Sequence, residues 1–314
     1  MATIIRTFQP GDEAAQISIY NEASAHLAKF KPASLDEMRR RCRAADFDPT
    51  TRFFAVVDGQ PVGYASFHAN GRVSYPWCRK GREDQAEPLV QAVLQAMQQR
   101  GMPKAFAAYR ADWQAQQDFF VAHDFRMARE MANYWIDPVD MPTPAARRNP
   151  PIHPAHPRDV PEIFNLVPQA LCVSLPSDLE RHLFHNPYFA PDSVFVLRSR
   201  TEGTIAAAGI LVVDPAYADP QQVDASMPCF RLGAFGTEGM QTKRINGLFS
   251  FLAKPGRDFN TLGLNLLGHA VFRMHNTDLK ILAAQVPSDV PQLYRFYQDH
   301  FRRQGSFPVL ERTL

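Results

Sequence analysis

The sequence predicts a mixed α/β protein built as two tandem copies of one unit, its strands mostly linked as hairpins. Two observations carry this prediction. First, a short strand, a turn ending in Asp and an amphipathic helix occur twice. Ile4-Ile5-Arg6-Thr7-Phe8-Gln9-Pro10-Gly11-Asp12 leads into Ile17-Ser18-Ile19-Tyr20-Asn21, and Ile152-His153-Pro154-Ala155-His156-Pro157-Arg158-Asp159 leads into Ile163-Phe164-Asn165-Leu166. In each half an apolar strand pair follows, and a helix later closes in an aromatic-His-Phe cluster. Second, 314 residues at roughly 100–200 per domain give two units, each long enough to bury its own core.

In the first copy, Ile4–Arg6 reads as a strand and Glu13–Ala28 as a helix. Phe53–Val57 and Val62–Phe67 flank Asp58-Gly59-Gln60, a hairpin marked by its D-G pair. Arg72–Tyr75 is a further strand. Glu83–Arg100 is a helix, because Leu89, Val93 and Met97 recur every four residues and Gly101 suits a left-handed cap. Strand Ala105–Tyr109, helix Trp113–His123 and a strand near Met131–Ile136 complete the copy. The second copy repeats the order. A helix spans Asp159–Ala170, with strands at Val194–Arg198, Ile205–Val212 and Arg231–Gly236. A helix begins near Ile245, followed by strand Lys280–Gln285 and helix Val290–Phe301. An insert, Lys254–Asn276, reads as helical from the spacing of Leu262, Leu266, His269 and Phe272. Pro138, Pro142, Pro144, Pro150, Pro151, Pro154 and Pro157 form a stiff connector, which places the domains at 1–144 and 145–314.

Bulk composition excludes several classes. A hydrophobic content of 45% with 21% charged residues is that of an ordinary globular chain, and a net charge of +2 leaves no global nucleic-acid footprint. No apolar run approaches ~18 residues and the first residues lack a signal-peptide core, so the expectation is a cytoplasmic protein without membrane partners. Cys42, Cys78, Cys172 and Cys229 are scattered, which suggests reduced buried thiols and no zinc site. His182 and His185 have helical i, i+3 spacing but lack a third ligand, so no metal is expected. The run Arg39-Arg40-Arg41 with Arg43 lies beside Asp36 and Glu37 and reads as a solvated face.

The order of elements resembles the GNAT superfamily, the acyl-CoA-dependent N-acyltransferases, over both halves of the chain. The resemblance implies two tandem GNAT-like domains, each a mixed, mostly antiparallel twisted sheet flanked by helices. It rests on a phosphate-loop pattern, R/Q-x-x-G-x-G/A, at the helix after the fourth strand, and on an aromatic-Tyr pair near the end of the last long helix. The first pattern has a physical basis: backbone N–H groups at a helix start bind a pyrophosphate, and small residues allow close approach.

In the first copy both patterns are damaged. Glu83 and Asp84 put negative charge in the loop Gly81–Ala86, and Phe120 replaces the tyrosine in Phe119-Phe120-Val121-Ala122-His123-Asp124-Phe125. An alternative register, with Arg79, Lys80 and Arg82 on the phosphates, stays open. In the second copy, Gln241-Thr242-Lys243-Arg244-Ile245-Asn246-Gly247 matches the loop at Gln241, with Arg244 and Asn246 at the glycine positions and cations at Lys243 and Arg244. Phe296-Tyr297-Gln298-Asp299-His300-Phe301 keeps the tyrosine.

The resemblance therefore implies a second domain that binds acetyl-CoA, or another acyl-CoA, through Gln241–Gly247 and through backbone groups at Ala234, Phe235 and Gly236. Tyr297 is the candidate acid for the departing thiolate, with Tyr294 one turn back as its rival, and Glu238 is the candidate base. The acceptor is a small-molecule amine or a peptide, the transfer is direct, and the chain is a monomer or homodimer. The first domain is a degenerate copy. A coenzyme A-binding sensor without turnover, or an interaction module that keeps the fold, is the alternative.

Overall fold

The computed structural model describes residues 3–43, 47–141, 152–171, 173, 175–185, 189–199, 201–213, 247–274 and 281–314. Two compact units emerge: Met1–Arg129 with Phe307–Leu314, and Glu130–Ser306. The join expected at 144/145 lies outside the described residues.

In the first unit, β1 (Thr3–Thr7), β2 (Arg52–Val57), β3 (Gln60–Ser66) and β4 (Trp77–Cys78) form an antiparallel sheet in that order. The β2–β3 turn has Asp58 at φ 50° and Gly59 at φ 76°, the left-handed pair that a two-residue hairpin requires. On one face packs α3 (Ala86–Gln99), which buries Leu89, Val90, Val93, Leu94 and Met97 against Ala55, Val57, Val62 and Ala65. Gly101 at φ 68° ends this helix, and the Met102 N–H returns to the Met97 carbonyl. The helices α1 (Asp12–Ser24) and α2 (Leu35–Cys42) bring Ile19 and Met38 into a second cluster with Phe8, Phe54, Tyr64 and Trp77. Ser34 caps α2 by accepting the Glu37 N–H at 3.2 Å. Then come β5 (Lys104–Ala108) and α4 (Gln114–Ala122).

In the second unit the sheet order is β6, β11, β10, β9, β8, β7, from β6 (Arg126–Ile136), β7 (Ile152–Pro154), β8 (Val194–Arg198), β9 (Ile205–Val212), β10 (Gly247–Ala253) and β11 (Leu282–Pro287). Among the described residues four helices accompany it: α5 (Val160–Phe164), α6 (Pro176–Phe184), α7 (Phe259–Met274) and α8 (Pro291–His300). Gly263 lets α7 approach its neighbours closely, since a Cβ there would stand 2.6 Å from Phe296 and 2.7 Å from Phe251. Gly263→Ala should therefore lower stability by about 1–3 kcal/mol through forced ring displacement. A denaturant midpoint equal to that of the parent protein would refute this.

The repeated Asp has the same local task in both copies. Asp12 accepts the Gln9 N–H at 2.7 Å and Asp159 accepts the His156 N–H at 2.9 Å. Each also holds an arginine, Arg6 at 2.6 Å and Arg198 at 2.7 Å. The turn that delivers the chain from strand to helix is thus fixed by one carboxylate in each unit.

The structure departs from the sequence reading at four places. The strand expected at Arg72–Tyr75 is reduced to isolated bridges at Arg72 and Val73, and the sheet's fourth strand is Trp77–Cys78. Gly247–Leu252, expected to open a helix, is strand β10; a short run that is apolar on both faces has no periodicity to separate a buried strand from a buried helix. The helix expected over Asp159–Ala170 stops at Phe164, because Pro168 excludes helical geometry in the residue before it. A twelve-residue strand, β12 (Arg302–Thr313), follows the last expected helix and had no counterpart in the sequence reading; it carries Gly305 and Pro308, residues that weaken a strand's local signal.

β12 and β6 also distribute themselves against sequence order. Val309–Thr313 pairs antiparallel with Ala108–Lys104, inside the first unit, and Met131–Ile136 pairs with Pro287–Leu282, inside the second. β5 thus pairs with a strand from the far end of the sequence, and β11 with one from its first half.

Candidate functional site

β10 and β11 run parallel and pair at Gly247 with Leu282 and at Leu248 with Ala283. Beyond that point they part. β10 continues along β9 as far as Ala253, paired with Ala207, while β11 continues along β6 as far as Pro287, paired with Met131. Parted parallel strands leave backbone N–H and C=O groups facing one another with no ladder between them, which suits the insertion of an extended polar ligand.

Tyr297 stands at this parting. Its side chain is 1% exposed among Tyr134, Phe251, Phe296 and Phe301, and its hydroxyl donates to the carbonyl of Phe249 at 3.3 Å. Phe249 is the first β10 residue past the last β10–β11 pair. Burial pushes the phenol well above its ordinary value, so it is held protonated.

Tyr294, one turn earlier on α8, donates its hydroxyl to Glu130 at 3.0 Å. Arg303 binds the other Glu130 oxygen at 2.6 Å and also donates to Ser306 at 3.1 Å. Burial pushes the Glu130 carboxyl up, but the hydrogen bonds of Ser306 and Tyr294 and the charge of Arg303 outweigh it and hold it below the usual range. Glu130 and Tyr134 escaped sequence reasoning because both lie on a strand read as part of the first domain.

The loop between β10 and α7 is Lys254-Pro255-Gly256-Arg257-Asp258, exposed throughout. It follows β10 directly and precedes a helix of 16 residues, the strand-loop-helix order in which the sequence resemblance leads one to expect a phosphate loop. Gly256 adopts φ 152°, and its N–H donates to Gln292 at 3.2 Å. Gly247, expected in this role, is instead the first described residue of β10. Ala234, Phe235, Gly236, Glu238, Gln241, Thr242, Lys243, Arg244, Ile245 and Asn246 lie outside the described residues.

The first unit has closed the corresponding loop with its own carboxylates. Glu83 accepts the Gly81 N–H at 3.0 Å, and Glu22 accepts the Lys80 N–H at 3.1 Å and pairs with Arg79 at 2.6 Å. Phe120 occupies the place equivalent to Tyr297, and the Tyr109 ring stacks on it with centroids 5.9 Å apart. The Tyr109 hydroxyl accepts the N–H of Tyr75, and burial pushes its pKa up to about 12. This phenol, placed just beyond β5, was also missed, because the family pattern directs attention to the helix. His182 and His185 acquire no metal-binding companions: no group of three or more His, Cys, Asp or Glu stands together among the described residues. Among them, too, no helix is long and apolar enough to cross a membrane.

The chain has the fold of the GCN5-related N-acetyltransferases in tandem form. A GCN5-related N-acetyltransferase from Sphaerobacter thermophilus superposes with a TM-score of 0.60 at 16% identity, covering 99% of this chain and 95% of that one. A tandem GNAT protein from the clavulanic acid biosynthesis pathway gives a TM-score of 0.53 at 10% identity, covering 99% and 98%. A GCN5-related N-acetyltransferase from Kribbella flavida gives 0.56 at 10% identity, covering 99% and 72%. No protein-family model and no curated protein sequence matches the chain.

Proposed function

We propose, from this tandem GNAT fold, that the protein is an N-acyltransferase that moves an acyl group, taken as acetyl, from acyl-CoA to an amine of a small molecule or peptide. The observation that carries the reading is a protonated phenol, Tyr297, at the point where β10 and β11 part. The amine nitrogen bonds to the thioester carbon, the C–S bond breaks, and the thiolate takes the Tyr297 proton. Glu238 takes the proton released by the nitrogen, and the two groups re-equilibrate through solvent.

The pyrophosphate of coenzyme A is assigned to Lys254–Asp258 and the start of α7. Lys254 and Arg257 supply charge there, and the first N–H groups of a 16-residue helix supply donors and the positive dipole end. Lys254→Ala with Arg257→Ala should weaken acetyl-CoA binding at least tenfold, about 1.4 kcal/mol, in a calorimetric titration. The same titration on Lys243→Ala with Arg244→Ala decides between the two loops. An effect confined to the second pair would return the pyrophosphate to Gln241–Asn246.

The carboxylates that occupy the first unit's loop favour one coenzyme per chain. Full burial of Tyr297 favours a second reading, a coenzyme A-binding protein without turnover. Thiol release from acetyl-CoA over a panel of amines separates the two readings, since a sensor binds and releases no thiol.

A further inference from the structure

One hydroxyl in the second unit is unaccounted for. Tyr134 is 1% exposed, yet its phenolic oxygen has no hydrogen-bond partner. A polar group sealed from water and left unpaired costs stability, and native proteins keep such groups where another need outweighs that cost. Both neighbouring phenols spend their own protons elsewhere. Tyr297 lies with ring centroids 5.9 Å away and its hydroxyl committed to Phe249, while Tyr294 lies at 6.1 Å, edge to face, with its hydroxyl committed to Glu130.

The position of Tyr134 is set by the sheet. It pairs with Ala284, which follows Ala283, the last β11 residue paired with β10. Phe249, whose carbonyl holds Tyr297, follows Leu248, the last β10 residue paired with β11. Tyr134 and Tyr297 are therefore level with the parting from its two sides, one on the strand beside β11 and the other held on β10.

We propose that the Tyr134 hydroxyl is a substrate contact that donates a hydrogen bond to the acyl carbonyl oxygen of the bound thioester. This rests on the acyltransferase reading above. A ligand that brings its sulfur to Tyr297 has its carbonyl one bond further on, and a hydroxyl lacking an acceptor is completed by that oxygen. The same bond strengthens as the oxygen gains negative charge during attack, so Tyr134 is a catalytic residue of this chain in addition to Tyr297.

Tyr134→Phe tests the proposal, because it removes one oxygen and keeps the ring. Thermal melts of the full chain and titrations with acetyl-CoA and with free coenzyme A are measured side by side. The expected result has three parts: a Tm raised by a few degrees, since an unpaired buried hydroxyl is gone; acetyl-CoA binding weakened about tenfold; and coenzyme A binding unchanged, since it has no acyl carbonyl. A lowered Tm, an unchanged acetyl-CoA affinity, or an equal loss for both ligands overturns the proposal and leaves the acyltransferase reading standing. Failure of the parent protein to bind acetyl-CoA removes that reading and this one with it.

Discussion

Tyr297→Phe should lower turnover by roughly 10²- to 10⁴-fold, the usual contribution of a positioned acid, while acetyl-CoA affinity stays within about twofold. The substitution also removes the bond to the Phe249 carbonyl, which costs about 1 kcal/mol of stability and leaves the ring packed among Tyr134, Phe251 and Phe301. The pH dependence has a defined sign. Burial raises the folded-state pKa of this phenol above that of the unfolded chain, so its neutral form is favoured by folding. The associated stability is fully present below pH ~10, the unfolded value, and is lost as pH rises beyond it. The turnover profile should accordingly show no alkaline limb from this residue below pH ~10, and a limb abolished by Tyr297→Phe within that range would contradict the assignment. An unaltered rate would move the acid to Tyr294 or to water.

Deletion of 307–314 should unfold the first unit and spare the second. That segment places Leu310 in the first unit's core with Phe125 and Val73, and Glu311 binds Lys104 at 3.0 Å and Arg129 at 2.8 Å. Arg312 donates to the His123 carbonyl at 2.8 Å and the Leu314 N–H to the Pro103 carbonyl at 3.1 Å. Both ion pairs are partly exposed and contribute little after screening. The larger losses are the buried leucine and the five register pairs with β5. Together these come to on the order of 5 kcal/mol or more, comparable with the whole stability of a domain. Hydrogen exchange resolves the two units: amides of 52–66 and 104–108 should exchange freely while those of 247–253 stay protected. Uniform protection across the truncated chain would disprove the dependence.

What the sequence made legible follows the strength of its local signals. The D-G hairpin, the Gly101 cap and the helix of the insert are each dictated by residues within a few positions of one another, and they stand as expected. β10 was misread because Leu248, Phe249, Phe251 and Leu252 are apolar on both faces, as in any strand buried in a parallel pairing. That misreading is why the expected loop, Gln241–Gly247, and the proposed one, Lys254–Asp258, stand about a dozen residues apart. Tyr297 was singled out because it lies in a motif. Tyr134 and Glu130 were missed because their partners, Ala284 and Tyr294, lie more than a hundred residues further along the chain, and strand exchange of this kind leaves no periodic trace.

The exchange of β12 has a consequence for synthesis. A ribosome delivers residues 1–129 before Val309–Thr313, so β5 finds its partner only after the residues of the second unit have been made. Strands β1 to β4 can pair with one another as they emerge, but β5 waits for a strand encoded after the whole of the second unit.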